Sequence, residues 1–540
     1  MAASTAGFNA ADYLVGRHLA SSTADKVAVR APGQELTYAA LDELVAEVAA
    51  SYRSLGLRSD DRVMLVMADD VPMLAGVLGA FRAGVVAVPV STMFNGDELG
   101  KVMADSGARV VLVSAEFAGT VAEAVRLAPA VEHLVLAGEA APGTGLGSGA
   151  ARLHTWEDFL ASGRPAGDAA RATADTDDDA WALWLYTSGT TGQPKAAMHR
   201  HANIRHVCET YGQRVLGITP EDTTLSIAKM FFAYGIGNSV FFPLSVGATT
   251  VLEPRRPSPA VIAERLRRDR PTLFFGVPTF YAALVSSDLP DDTFASVRLA
   301  TSAGEPLPAP LQRRFTDRFG VEILDGIGST EALHIFLSNR PGDIHPGTTG
   351  LPVPGYDVEV RDASGAVLGP DEPGGLYVRG ASIALGYWHR TDASRAVFQG
   401  EWLSTGDTYV RGADGYFRCL GRNSDMLKAG GIWVSPGEVE SRLLEHPAVR
   451  EAAVIGVPDA NGLDKPVAVV VVADPGAGRT TAEELIGWCR EGLAHFKAPR
   501  QVVFADELPK TATGKLQRFK VRDQLVSHQV GEAGTVGAAS

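Results

Sequence analysis

Residues 62–90, RVMLVMADDVPMLAGVLGAFRAGVVAVPV, form the stretch whose reading decides the fold class. Arg62 to Met67 reads as a β-strand, Pro72 to Arg82 as a helix and Val85 to Val90 as a second strand. The run from Val71 to Val90 is the most apolar in the chain. It is broken by Arg82 and Pro89, so it belongs in a packed core rather than across a bilayer. Moving outward, Asp97 to Asp105 reads as helix, Arg109 to Val113 as strand, Ala118 to Leu127 as helix and His133 to Ala137 as strand. Strand alternating with helix predicts a parallel sheet covered by helices, an α/β class.

Further along, Gly138 to Ala150 and the acidic run Asp175 to Asp179 read as surface connections. The texture changes after Asp407, where Tyr409 to Leu420 alternates like hairpin strands around the turn Ala413-Asp414-Gly415. A smaller α+β unit begins near Asp425. It has a helix at Val439 to Glu445, strands at Ala452 to Val457 and Val467 to Ala473, an amphipathic helix at Ala482 to Leu493 and a strand at Gln501 to Ala505. The expected organisation is therefore a large N-terminal domain over residues 1–424, a small C-terminal domain over 425–527 and a flexible tail over 528–540.

The 540 residues exceed one core, and 46% hydrophobic with 21% charged residues is a globular composition. A formal charge of -14 argues against general nucleic-acid binding, so any phosphate must be met locally. Cys208, Cys419 and Cys489 lie far apart without CxxC spacing, which supports neither a disulfide framework nor a zinc site and suits a reducing cytoplasm. No signal peptide or membrane segment is expected.

The strongest local signal is Tyr186-Thr187-Ser188-Gly189-Thr190-Thr191-Gly192-Gln193-Pro194-Lys195, directly after the apolar run Trp181 to Leu185. Glycines let backbone N–H groups turn toward an anion, while hydroxyls and one lysine add donors, so the segment can hold a polyphosphate. A flexible Ser/Thr/Gly linker is the alternative. The loop is not a Walker A motif, because its glycine spacing differs and no Ser or Thr follows Lys195.

Five more motifs follow in order: Ser302-Ala303-Gly304-Glu305-Pro306, Asp325-Gly326-Ile327-Gly328-Ser329-Thr330-Glu331, Trp402-Leu403-Ser404-Thr405-Gly406-Asp407, Gly421-Arg422-Asn423-Ser424-Asp425-Met426-Leu427-Lys428 and Pro509-Lys510-Thr511-Ala512-Thr513-Gly514-Lys515. With this set the sequence resembles the adenylate-forming superfamily of acyl-CoA synthetases, peptide-synthetase adenylation domains and luciferases. Within it, Lys229 to Asn238 and Gly326 to Asn339 look most like benzoate-CoA and related aryl-CoA ligases. Most superfamily members carry an adenine-stacking aromatic residue where this chain has Ile327.

The resemblance implies a fold of helix-covered β-sheets with a small α+β C-terminal domain joined by a hinge. It also implies ATP, Mg²⁺ and coenzyme A as reaction components and an aryl carboxylic acid as substrate. By the same resemblance Lys515 bridges the carboxylate and the α-phosphate, Thr330 touches that phosphate and Glu331 is the magnesium ligand, as suits a cation that takes hard oxygen ligands. ATP is met by Thr187, Ser188, Gly189, Thr190, Thr191, Gly192, Lys195, Gly304, Glu305, Pro306, Asp325, Gly326, Ile327, Gly328, Ser329 and Lys515. Asp407 accepts from the ribose hydroxyls, and Arg422 reaches the ribose or phosphate side.

The acyl pocket is expected from Phe232, Ala233, Tyr234 and Gly235 on one side, Ala303 and Gly304 on another, and Ile327, Gly328, His334 and Ile335 closing it. Small glycines beside flat aromatics suit a planar ring. His334 is either a partner for a ring substituent or a satisfied core histidine. Asp425 matches the family's hinge, and Lys428, Gly430 and Gly431 would then line the path of coenzyme A's pantetheine arm. The leading function is conversion of an aryl acid to its CoA thioester, with AMP and pyrophosphate released. The alternative is a free-standing adenylation enzyme that loads an aryl acid onto a separate carrier protein. Neither nucleic acid nor membrane is an expected partner, and a homodimer is a fair expectation for a soluble enzyme.

Overall fold

The computed structural model describes residues 7–164, 171–188, 194–422, 427–429, 432–458, 464–473, 480–493, 497–510, 516–518 and 520–525. The stretch that opened the sequence reading folds as expected. Strand Arg62–Val66, helix Val71–Ala83 and strand Val86–Pro89 are consecutive, and the two strands pair in parallel. Asp70 caps the helix by accepting from the Val71 N–H, a proline stands in the first turn, and Gly84 ends it at φ 75°.

Around this unit lies a seven-stranded sheet. Its order is Arg152–Thr155, His133–Ala137, Val110–Ser114, Arg62–Val66, Val86–Pro89, Trp181–Ser188, Pro194–Arg200, and only the last pair is antiparallel. A second, nine-stranded sheet has a parallel centre, from Thr249–Val251 through Thr223–Ser226, Leu273–Gly276 and Leu299–Ser302 to Ile323–Gly328. The largest apolar cluster joins the two sheets through residues such as Leu65, Phe81, Phe241 and Phe275. A third sheet, mainly Tyr356–Arg361, Gly374–Gly380, Trp402–Arg411 and Phe417–Arg422, is antiparallel and contains the expected hairpin around Asp414.

The C-terminal unit is α+β as read. Strands Val449–Pro458, Asp464–Val472 and Gln501–Phe504 carry helices Pro436–Leu444 and Ala482–Gly492, and Leu443, Val454, Val470 and Leu485 are buried among them. Two features had no counterpart in the sequence reading. Segments Cys208–Val215 and Gly237–Phe241 wind as π-helix, a form that recurs at functional sites.

A connection from the third sheet binds the first two together, and this crossing positions the site. Tyr387 bridges to Ala197 of the seven-stranded sheet, the Leu385 N–H donates to the Met198 carbonyl, and the Ala384 N–H donates to the Glu331 carbonyl, 2.8 Å away.

Candidate active site

The glycine-rich segment is flanked by two strands that pair with each other. Strands Trp181–Ser188 and Pro194–Arg200 run antiparallel with Thr187 opposite Lys195, so the lysine returns beside the residue that opens the loop. Gly189, Thr190, Thr191 and Gly192 lie outside the described residues, and Ser188 is placed by its backbone alone. The stem is anchored through Asp105. Its carboxylate accepts from the Tyr186 hydroxyl at 2.8 Å and from Arg390 Nη2 at 2.7 Å, and its carbonyl accepts from Trp388 Nε1 at 3.0 Å. Burial, followed by the Asp105 charge, pushes the Tyr186 hydroxyl above the usual phenol range, which keeps it a donor.

Thr330 and Glu331 sit on a one-turn 3-10 helix, Thr330–Ala332, directly after strand Ile323–Gly328. Ser329 caps it by accepting from the Ala332 N–H. His199 Nε2 donates to the Thr330 carbonyl at 2.8 Å, and His199 Nδ1 accepts from Asn203 Nδ2 at 3.0 Å. The same Asn203 amide donates to the Ser382 carbonyl, and Ser382 Oγ donates to the Ala332 carbonyl at 2.7 Å. Both ring nitrogens of His199 are thus used by a neutral imidazole, and burial pushes its pKa down to about 4 from an ordinary 6.5.

This arrangement has a pH signature. Between 6.5 and about 4 the unfolded chain binds a proton on this histidine that the fold refuses. Its stabilising contribution is therefore complete above pH 6.5 and is lost as pH falls toward 4. Thermal unfolding across that window is expected to depend less steeply on pH in His199→Asn than in the unsubstituted protein; equal slopes would contradict this.

Glu331 Oε1 accepts from the Tyr387 hydroxyl at 2.6 Å, and Lys195 Nζ lies 5.5 Å from the centroid of the same tyrosine ring. Two residues predicted from separate motifs, Lys195 and Glu331, are therefore brought to one side chain, the first over its ring and the second at its hydroxyl. His199, Asn203 and Tyr387 went unrecognised in the sequence. The available signal was a histidine near the end of the strand after the loop, His199, followed by His201 at the start of the next helix.

Gly304, Glu305 and Pro306 form the loop after strand Leu299–Ser302, with Gly304 in the left-handed region at φ 95°. Ser302 pairs in register with Asp325. The Asp325 carboxyl is 4% exposed, has Oδ1 without a partner among the described residues and accepts on Oδ2 from the Leu307 N–H at 3.5 Å. Burial raises its pKa well above the carboxylate range. Asp407 stands opposite Arg422 in an antiparallel pair. The pKa of the half-buried Cys419 thiol is pushed up to about 11, mainly by desolvation, and the charges of Asp407 and Asp325 both raise it. The Arg422 side chain is outside the described set.

Four of the expected acyl-pocket residues, Tyr234, Gly328, His334 and Ile335, are brought together. Tyr234 is the second residue of the helical segment Ala233–Ile236, and its hydroxyl pairs with Thr301 Oγ1 at 2.6 Å, next to Ser302 and Ala303. His334 Nε2 donates to the Tyr234 carbonyl at 3.3 Å, and the His334 ring lies 5.5 Å from Tyr234, 5.4 Å from Tyr211 and 4.5 Å from Phe242. Burial holds this imidazole neutral, with its pKa down at about 3, and Nδ1 has no partner among the described residues. Gly328 pairs with Ile335 and lies against the His334 carbonyl, where a side chain would overlap backbone. Ala233, Ala303 and Ile335 are buried, Phe232 is half-buried with its ring 4.5 Å from that of Phe231, and Gly326 and Ile327 pair with Ser338 and Leu337. Buried Asp69, another residue missed in the sequence, fixes the entry to this segment by accepting from the Met230 N–H at 3.1 Å.

From the C-terminal unit, an antiparallel bridge between Lys510 and Leu516 brackets residues 511–515, and the Leu516 N–H donates to Glu305 Oε1 at 3.2 Å. The residue that follows Lys515 in the chain is thereby held at a motif loop of the large domain. Lys515 itself, the hinge candidate Asp425, and Gly430 and Gly431 lie outside the described residues. Lys428 is placed only by its backbone, in strand Leu427–Ala429.

Residues 17–388 match the family described as AMP-binding enzyme, and residues 438–515 match the AMP-binding enzyme C-terminal domain. The chain belongs to this AMP-binding, adenylate-forming family, in its benzoate and aryl-CoA ligase branch. It is 44% identical to a benzoate–CoA ligase of Thauera aromatica over 95% of this chain and 96% of that one. It is 40% identical to a 4-hydroxybenzoate–CoA/benzoate–CoA ligase of Rhodopseudomonas palustris over 96% and 94% of the two chains. Among solved structures, a benzoate CoA ligase from Burkholderia xenovorans LB400 superposes with a TM-score of 0.86 at 43% identity, covering 95% of this chain and all of that one. Among the described residues no helix is long and apolar enough to cross a membrane.

Proposed function

We propose that this protein is an AMP-forming acid–thiol ligase that joins an aromatic carboxylic acid, benzoate or a substituted benzoate, to coenzyme A through an acyl-adenylate. The observation that carries the reading is the convergence of Lys195, Glu331 and the Leu516 end of the C-terminal loop around motif strands that also bear the acyl-pocket segment. Attack of a carboxylate oxygen on the α-phosphorus of ATP forms one P–O bond and expels pyrophosphate. Two anions must be brought together for this, so fixed positive charge and fixed donors are what the site supplies.

Lys515 would bridge the attacking carboxylate and the α-phosphate, while the hairpin loop 187–195 would hold the β- and γ-phosphates. Asp407 would accept from the ribose hydroxyls. Glu331 fits a magnesium ligand, because Oε1 is fixed by Tyr387 while Oε2 has no partner among the described residues. When bound there, the ion would draw negative charge from the departing pyrophosphate. Rotation about Asp425 would then replace Lys515 by the Lys428–Gly431 face. The CoA sulfur would attack the acyl carbon, and the C–O bond to AMP would break. The small domain would run from 425 to 527, the enzyme would work in the cytoplasm, and a homodimer is the expected assembly.

A panel of aryl acids assayed with ATP, magnesium and free CoA tests this reading. Benzoate or a hydroxy- or aminobenzoate is expected to give its CoA thioester with equimolar AMP. A protein that adenylates these acids but ignores free CoA would instead be loading a carrier protein.

A further inference from the structure

Tyr387 belongs to none of the motifs read from the sequence, yet it is the side chain that touches two of them. Its hydroxyl donates to Glu331 Oε1 at 2.6 Å, and its ring lies under the Lys195 ammonium, 5.5 Å from the centroid. The tyrosine is itself held rigidly. It is 7% exposed, its ring packs on Phe398 at 5.2 Å, its backbone bridges to Ala197 and its N–H donates to Ser394 Oγ at 2.9 Å. The backbone of the three-residue 3-10 turn that carries Glu331 is tied down on both sides, but the partner of the Glu331 carboxylate itself is the Tyr387 hydroxyl.

We propose that Tyr387 is a positioning residue that orients the Glu331 carboxylate for the magnesium ion of MgATP, with its ring face serving as the seat of the Lys195 ammonium. This rests on reading Glu331 as the metal ligand. With Oε1 engaged by a fixed phenol, the carboxylate keeps one rotamer and presents Oε2 outward. A hydrogen bond to a ligating carboxylate fixes its orientation, and its loss typically costs about 10–100-fold in metal affinity. The cation over the ring adds a second, weaker tie between the hairpin and the Glu331 turn.

The test is the magnesium dependence of ATP binding, read by calorimetry without any acid so that no reaction proceeds. Tyr387→Phe keeps the ring on Phe398 and removes only the hydroxyl. It is expected to raise half-saturating magnesium by about 10–100-fold, to leave the KM for the aryl acid unchanged and to regain exchange activity at high magnesium. Tyr387→His, which keeps a ring N–H, should recover part of the affinity. A magnesium curve identical to that of the unsubstituted protein would overturn the proposal, as would a lowered thermal midpoint with unchanged magnesium dependence, which is the mark of packing alone. Glu331→Gln run in parallel separates the two levels: if it too leaves the curve unmoved, the assignment of Glu331 falls; if it alone moves the curve, only the role of Tyr387 does.

Discussion

Lys515→Ala is expected to slow acid-dependent exchange of pyrophosphate into ATP by about 10²–10³-fold, the usual effect of removing one fixed donor from a site of developing charge. The variant should still convert supplied aryl-adenylate and CoA to the thioester at near-normal rate. The basis for the asymmetry is spatial. Leu516, the residue after Lys515, is tied through its N–H to Glu305 in the Gly304–Pro306 loop of the large domain, a segment proposed to meet ATP. Thioester formation needs a thiol path instead of a second cation beside the phosphate, and the proposed hinge would have carried Lys515 away by then. Stopped-flow assays of the two half-reactions decide the matter: equal loss in both would remove the division of labour between them.

Gly235→Ala is expected to cost more than its single methyl group suggests. A Cβ at this position would overlap the carbonyl oxygens of Lys229 and Ala228, which are backbone atoms that cannot rotate away. The turn from Met230 into helix Ala233–Ile236 would have to open, and it is held at its start by Asp69. Overpacking of this kind destabilises by about 1–3 kcal/mol. A shift of about 1 Å at Tyr234 and Ala233 would further lower kcat/KM for the aryl acid by about 10²-fold. Thermal unfolding and acid-dependent kinetics measure the two effects separately. A variant with unchanged midpoint and unchanged kcat/KM would show that the segment does not wall the acyl pocket.

Much of the fold was legible because the relevant signals are local. The alternation from Arg62 to Ala137 and the unit from Val439 to Ala505 follow from β-branched runs, amphipathic spacing and caps, each readable within a dozen residues. Observed boundaries differ by up to three residues, most at the starts of Pro436–Leu444, Val449–Pro458 and Asp464–Val472. The pairing of the two strands that flank the glycine-rich segment was less legible, because a strand followed by glycines does not say whether the chain returns as helix or strand. The π-helical turns at Cys208–Val215 and Gly237–Phe241 were invisible for a related reason: they depend on how Tyr211, Phe242 and His334 pack, not on local propensity.

For the candidate site, motif order pointed to Lys195, Asp325, Glu331 and Asp407, whereas the residues packed around Glu331 and its turn escaped notice. His199, Asn203, Ser382 and Tyr387 act across gaps of up to 180 positions, and a polar residue in an apolar strand carries no mark of its partner. His334 was left open between two roles. The structure shows a buried, neutral imidazole with one nitrogen on the Tyr234 carbonyl and the other unpartnered among the described residues.

The most direct measurement follows carboxylate oxygen through one turnover. Benzoate labelled with heavy oxygen in its carboxylate, incubated with ATP, magnesium and CoA, is expected to deliver one labelled oxygen to the phosphate of AMP and to leave the thioester carbonyl labelled. AMP formed without label, or thioester formed with ADP and phosphate in place of AMP and pyrophosphate, would contradict an acyl-adenylate route.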